Sequence, residues 1–410
     1  MLKSFFRVPS DIFLEGVSVS KFDRRLAYAL LIGFTANLLY FYFPLPALVI
    51  RAYILGCIFI AIGRGGFRGV TWVEKSCYLF VAAFTACYII SSIFNSYQIT
   101  NVANCMIGLL SFPAFGSLAR RGAIDQKFIR NALIVLVLAN MPHYFYEEQK
   151  LLREAMIRFQ LRVAPEDWAT TVNASTEFLM LLPLCLALRN RKLGLASMIV
   201  IVYFLVIAAK RGNIIAGMIP LILFILLVSK GQKNILGKVA ILIIIVGAGY
   251  WFLSDLIMDD DYLQSRFEQT MEGNSSGRDR IYDHIWNFWY NSGSALNMLF
   301  GFGYDASVRM SGAGNFAHND WLEILVDFGL VGVLCYLPIF ISLGKMVLKT
   351  KPDYMKYTVL SILTIWGMKS MYSMGFVNQY NGLMAIPYAY VAGYNYIQSL
   401  RIKTRKLQAA

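Results

Sequence analysis

Residues 317–332 read AHNDWLEILVDFGLVG and continue without interruption into VLCYLPIFISLG over 333–344. A histidine, an asparagine and three carboxylates (Asp320, Glu323, Asp327) therefore lead directly into an apolar run long enough to cross a bilayer. Upstream lies a polar window that opens with NSSGRDRIYDHIWNFWY at 274–290 and passes through GFGYD at 301–305. It adds Arg278, His284, Asp305 and Arg309 to the titratable groups just named. Around this window the chain is mostly hydrocarbon, so the polar stretch that interrupts the spans is where chemistry is to be sought.

The composition fixes the class. Over 410 residues, 58% are hydrophobic, 15% aromatic and 15% charged, and the mean hydropathy is +0.55. No soluble domain needs that much apolar side chain, and the expected fold is an all-α polytopic membrane protein. The six cysteines, at positions 57, 77, 87, 105, 185 and 335, all fall in apolar runs. There they read as small hydrophobes, with no disulfide framework or zinc set implied. The first apolar run begins near Leu26 behind a basic lead and lacks a small-residue cleavage pattern, so it is expected to remain as a span. A net charge of +14 raises the question of nucleic acid, but lysine and arginine cluster in short loops at alternate span ends. That distribution is a topology signal and excludes a nucleic-acid patch.

Apolar runs predict about twelve spans, near 26–43, 45–62, 74–94, 101–118, 128–146, 173–188, 193–209, 213–229, 236–254, 321–344, 357–376 and 380–399. The basic loops place both termini in the cytoplasm and two long connectors, about 147–172 and 255–320, outside. The chain divides accordingly into a bundle over 1–254, an outer loop over 255–320, and three last spans with a cytoplasmic tail over 321–410. Glu147 to Asp167 carries acids and bases at helical intervals and reads as an outer amphipathic helix.

Lys210-Arg211-Gly212 breaks the charge rule, because it stands on the outer side between two spans. It reads either as a turn whose side chains reach lipid headgroups or as a fixed anion clamp. Charges within spans are few: Arg51, Glu177, Glu323, Asp327 and Lys369. All fall in the outer half of their spans, and intramembrane charges usually face a cavity or one another. Arg51, Asp327 and Lys369 lie deepest, and at least two of them are expected to line one polar cavity that opens outward.

Ser276-Gly-Arg-Asp279 ahead of Ile281, Ile285, Phe288 and Trp289 fits a capping box, which sets Arg278 in the first turn of a helix. An arginine at a helix N-terminus suits a phosphate. Trp286 and Trp289 read as an interfacial anchor. His318 precedes the tenth span, with Asp320, Glu323 and Asp327 following at spacings of three and four, so that the carboxylates share a face beneath it. A histidine in that setting is suited to take a proton from a sugar hydroxyl, or else simply ties the loop to the span. His143, after Pro142, reads as structural. Asp259-Asp-Asp261 has the D-x-D spacing of metal-dependent sugar transferases but no evident acidic partner cluster, and it reads as a solvated boundary.

His318-Asn319, followed after nine residues by Gly329-Leu-Val-Gly332, resembles the histidine–glycine motif of the bacterial O-antigen ligase and polymerase superfamily. Lys210-Arg211-Gly212, the Gly-Arg-Asp at 277–279 and Gly301-Phe-Gly303-Tyr304 are similar to its other landmarks. The resemblance implies a metal-independent, inverting glycosyltransferase of the inner membrane, without cofactor, whose site faces the periplasm. The implied donor is a glycan on undecaprenyl diphosphate, and the acceptor is a lipid A core sugar or another lipid-linked glycan. Carried onto this chain, Arg211 and Arg278 would hold the diphosphate, and His318 would activate the acceptor or orient the donor. Charge alone adds Lys210 to the clamp. Asp320, Glu323, Asp327, Arg51 and Lys369 complete the candidate substrate-binding set. The ligase reading is preferred and a polymerase is its alternative. An exporter or flippase is a second alternative; a transporter would be expected to show repeat halves and midplane polar groups, whereas here the deep charges gather outward and the largest loop is off-centre.

Overall fold

In a computed structural model, the protein is described over residues 19–42, 46–66, 69–94, 100–160, 173–208, 210–229, 278–312, 314, 316–351, 353–373 and 375–409. Among the described residues the chain is helical, without strands: α1 Lys21–Leu38, α2 Ala47–Gly65, α3 Trp72–Phe94, α4 Thr100–Arg120, α5 Gln126–Gln160, α6 Ser175–Ala187, α7 Arg191–Ile207 and α8 Arg211–Ser229. Three short helices follow, α9 Arg278–Tyr290, α10 Ala295–Phe300 and α11 Ala306–Met310. Then come α12 Asp320–Lys349, α13 Asp353–Tyr372 and α14 Asn381–Ala409. The result is an all-α membrane protein. Helices stand over every expected span except the ninth, 236–254, which lies outside the described residues. By length and hydropathy, α2, α3, α4, residues 126–151 of α5 and α12 each suffice to cross a membrane, and α6 and α8 are shorter apolar helices.

The bundle is built around α4, in which every residue from Ile107 to Ala119 is buried. It is packed on by α2, α3 and α14. The approach of α14 is close because Gly393 has no side chain: a Cβ there would stand 2.9 Å from the Ala119 carbonyl oxygen. At the end of the bundle that holds the start of α1, carboxylates and guanidinium groups pair. Asp23 accepts from Arg64 at 3.0 Å and from Arg121 at 3.3 Å, and the buried Glu74 pairs with Arg120 at 2.7 Å.

Two expectations are modified. The connector at 147–172 does not begin as a separate outer helix, because α5 runs on through Gln160. The acid–base spacing read from the sequence continues the span's own helix, and Pro142 sits inside it without ending it. The tenth span is also not one straight rod. Gly329, at φ 67° and ψ −166°, breaks α12 between two helical arms.

That break explains the glycines of the 301–303 turn. Carbonyls freed by a kink within an apolar environment need donors. Here the Phe302 N–H donates to the Val326 carbonyl at 2.8 Å, and the Gly303 N–H to the Asp327 carbonyl at 3.1 Å. The two backbones touch: a Cβ on Gly329 would be 2.3 Å from the Leu299 carbonyl oxygen, and one on Gly301 would be 2.4 Å from that of Asp327. Asp327 secures the same loop from below. Its carboxylate accepts from the N–H groups of Asp305 at 3.1 Å and Ser307 at 2.7 Å. An apolar cluster of Ile285, Trp289, Ala306, Ala317, Leu325 and Val326 then seats α9 and α11 on the first arm of α12.

Gly329→Ala and Gly301→Ala should each destabilise the purified protein, by about 1–3 kcal/mol from the left-handed backbone alone and more from the contact with the opposing carbonyl. Gly344→Ala in the same helix, where an added Cβ meets nothing within 4 Å, is the control. Thermal unfolding in detergent reads the difference, and a Gly329→Ala protein that melts with the control would refute the backbone-contact account.

Candidate functional site

Lys210, Arg278 and His318 stand at the heads of three different helices. Lys210 immediately precedes α8, and its carbonyl accepts from the Asn213 and Ile214 N–H groups, opening that helix. Arg211, the next residue, is the first of α8. Arg278 is the first residue of α9, in the first-turn position expected, while Ser276 of the expected capping box lies outside the described residues. His318 precedes the N-cap of α12, where Asn319 accepts from the N–H groups of Trp321 at 3.0 Å and Leu322 at 3.3 Å. His318 itself has φ 54°. This is a left-handed conformation uncommon outside glycine and asparagine, and its N–H is held by Glu323 Oε1 at 2.9 Å. The cap and the carboxylate together fix the backbone that presents the imidazole.

The packing brings these residues within electrostatic reach of one another. Lys210 Nζ donates to Asn173 Oδ1 at 2.8 Å and to Thr176 Oγ1 at 3.4 Å, which ties the head of α8 to that of α6. Asn213 strengthens the tie, donating to the Ser175 and Thr176 hydroxyls at 2.8 and 3.0 Å. Arg278 donates from Nη1 to the Tyr372 carbonyl at 3.1 Å, at the end of α13. Lys369, one turn before Tyr372, is buried, and its Nζ has no hydrogen-bond partner among the described residues. Glu177 and Glu147 add negative charge near Lys210, and Glu177 is also within reach of Lys369. Among the described residues no carboxylate approaches Lys210, Arg278 or Lys369 to ion-pair distance.

The three carboxylates expected beneath His318 are committed to the protein itself. Asp320 accepts from the Tyr336 hydroxyl at 2.9 Å and from the Gly375 N–H at 2.7 Å. Glu323 holds the His318 N–H, and Asp327 holds the loop at 305–307. Arg51 donates to Gln379 Oε1 at 3.2 Å in the connector before α14. His143, read as structural, stands 3.7 Å from Glu147 and stacks on Phe41. Asp259 to Asp261 lie outside the described residues.

Sequence reasoning left Asn173, Thr176, Asn213 and Glu147 out of the site, and it noted Glu177 only as a charge inside a span. Neutral polar residues at span ends have no signature of their own: Asn173, Thr176 and Glu177 become neighbours of Lys210 through the α6–α8 contact, Glu147 comes from α5, and Asn213 lies one turn along α8 from Lys210. A carboxylate within an apolar run was the one available signal.

His318 and Lys210, both outside the spans, are electrically perturbed. His318 is exposed, yet the protein around it, with Arg278 and Lys210 adding to the effect, pulls its imidazole below its ordinary value of 6.5. Desolvation likewise pulls Lys210 below the ordinary lysine range, Glu177 and Glu147 opposing this and Arg278 reinforcing it. An imidazole held neutral near pH 7 accepts protons. Beside it are a lysine and an arginine with their positive charge only partly balanced, which is the electrostatic character of an anion site.

Residues 196–337 match the family model described as O-antigen ligase. The matched segment runs from within α7 to within α12, and so contains Lys210, Arg211, Arg278, His318 and the Gly329 break. This match supports the O-antigen ligase and polymerase superfamily for the chain. Arg51 and Lys369 fall outside it. None of the curated proteins matches the chain.

Among only three histidines, that of His318 should titrate below 6.5 by NMR of the ring-labelled protein, and Arg278→Ala should move the midpoint upward by removing a repelling cation. Titration at or above 6.5 in the wild type, or a midpoint indifferent to Arg278, would contradict the electrostatic account.

Proposed function

We propose that this multi-pass membrane protein moves a glycan from undecaprenyl diphosphate to an acceptor sugar at the periplasmic face of the inner membrane, as an O-antigen ligase whose acceptor is the lipid A core. The supporting observation is the convergence of Lys210, Arg278 and His318 from three separate helix heads, all within the segment matched by the O-antigen ligase family.

In the proposed reaction the acceptor hydroxyl oxygen attacks the anomeric carbon of the donor sugar from the face opposite the diphosphate. The bond from that carbon to the diphosphate oxygen breaks, and undecaprenyl diphosphate leaves with the electron pair. Arg211 and Arg278, with Lys210 beside them, hold the diphosphate where negative charge accumulates. His318 takes the proton from the attacking hydroxyl and later releases it to water. A glycosyl diphosphate already carries a good leaving group, so fixed positive charge and one base suffice, and no metal is assigned. Lys369 and Arg51 extend the positive field behind the leaving group. Asp320, Glu323 and Asp327 serve by holding His318 and the loop in register.

Arg211→Ala, Arg278→Ala and His318→Ala should each lower transfer by about 100- to 1000-fold, on the scale of a lost oxyanion donor, with protein levels in the membrane unchanged. Undiminished turnover in any one variant removes that residue from the mechanism. Transfer should persist with chelator present; an absolute need for magnesium would return attention to Asp259 and Asp261. Assayed with purified protein and lipid-linked glycan, a lipid A core acceptor should yield product. If product forms only with a second lipid-linked glycan, the protein is a polymerase of the same superfamily.

A further inference from the structure

At the end of the bundle opposite His318, α1 begins with a concentration of charge that the protein leaves unbalanced. The two ends are well separated: α5 starts at Gln126, next to the Asp125 partner of Arg24, and reaches the Lys210 neighbourhood only at Glu147. At the rise of a helix those residues are about 30 Å apart. Lys21, Arg24 and Arg25 occupy the first turns of α1, where the helix end already carries positive potential. The one acid there, Asp23, is spent on Arg64 and Arg121. Arg24 has only a 3.9 Å contact with Asp125, and Lys21 and Arg25 have no acidic partner among the described residues.

These three cations line the mouth of a cavity of about 420 Å³ whose other walls include Tyr28, Ile32 and Tyr53. A second cavity, of about 400 Å³, continues from it along α1 and α5 and shares Tyr28 and Ile32. Its walls are almost wholly apolar, with Leu31, Leu39, Ile134 and Val135 among them. Thr35, which also lines it, donates its hydroxyl to the Leu31 carbonyl at 2.8 Å and so offers no free donor. At the junction of the two cavities the Tyr28 hydroxyl accepts from Asn131 Nδ2 at 2.9 Å. Its own O–H has no acceptor among the described residues.

We infer that this groove is a binding site for an anionic glycerophospholipid of the leaflet opposite the His318 face. Lys21, Arg24 and Arg25 take the phosphate, the Tyr28 hydroxyl donates to an ester carbonyl, and an acyl chain lies between α1 and α5. The order of chemistry along the groove, cations, then one hydroxyl donor, then hydrocarbon, is the order of groups in such a lipid. A soluble anion would use the mouth alone and leave the apolar half without a function. The inference does not depend on the proposed transferase activity.

The test is native mass spectrometry of the full chain, delipidated in detergent and titrated with phosphatidylglycerol or with phosphatidylcholine bearing the same acyl chains. Phosphatidylglycerol should be retained about tenfold more tightly, since each basic residue near the headgroup strengthens anionic lipid binding several-fold. Lys21→Ala combined with Arg25→Ala, both exposed positions, should bring the two lipids level. Tyr28→Phe should weaken both lipids several-fold while preserving the preference, because the ester carbonyl is common to them. Equal retention by the wild type, retention of neither lipid, or a preference that survives the double substitution overturns the proposal. Complete displacement of phosphatidylglycerol by millimolar inorganic phosphate would also overturn it, reducing the site to a simple anion contact.

Discussion

A helix interrupted inside an apolar environment exposes carbonyls that water cannot reach, and the organisation of the His318 face follows from how this chain satisfies them. Gly329 breaks α12, and the backbone of residues 302–303 supplies the donors. A hydrogen bond left unmade in hydrocarbon costs several kcal/mol, so the outer loop cannot drift from α12 without losing more than its own contacts. The loop is thereby fixed to the helix that carries His318. Positioning of the imidazole is in this sense a consequence of a break in the helix that presents it.

The carboxylates fit the same logic. Read along the sequence, Asp320, Glu323 and Asp327 look like a proton-handling set under a histidine. In space they hold separate pieces of backbone: the connector at Gly375, the His318 N–H, and the loop at 305–307. Asp320 also reaches Tyr336, whose hydroxyl in turn accepts from Trp366 at 3.0 Å, so that α12, α13 and the connector after α13 form one hydrogen-bonded unit. Buried carboxylates satisfied this completely are suited to rigidity, and it is the neutral-leaning His318 that remains open to solvent for exchange of a proton.

How much of this was legible in the sequence depended on the range of the signal. Long apolar runs located the helices, because burying or immersing about twenty residues leaves a pattern that composition alone reveals. The arginine at the head of α9 and the histidine before α12 were likewise readable, since capping chemistry is local. Gly329 was visible as part of a motif, but its broken backbone was not, because glycine is ordinary in apolar helices and its partner, the turn at 301–303, is distant in sequence. The continuation of α5 past the expected connector was missed for a related reason: acid–base spacing shows that a helix is present but not whether it is continuous with the span before it. Glu147, Glu177 and Asn173 became neighbours of Lys210 only through tertiary contact.

Close ion pairing differs between the two ends of the bundle. Near the start of α1, Arg64 and Arg121 share Asp23, and Arg120 is matched to Glu74 with both oxygens in contact, at 2.7 and 2.9 Å. Removing one member of a buried pair is strongly destabilising, so such pairs are complete by necessity. Near His318, Arg278 finds a carbonyl and Lys210 an amide and a hydroxyl, and among the described residues Lys369 finds no hydrogen-bond partner, while Glu177 and Glu147 stand back from ion-pair contact. Close ion pairs thus match Arg64, Arg120 and Arg121 near the start of α1, whereas among the described residues no close ion pair matches Lys210, Arg278 or Lys369, and the positive field there suits an anion. An arriving diphosphate would gain the attraction that no side chain there already satisfies. Its departure as a leaving group would be favoured by the same charges, because they bind it most strongly once its negative charge is fully developed.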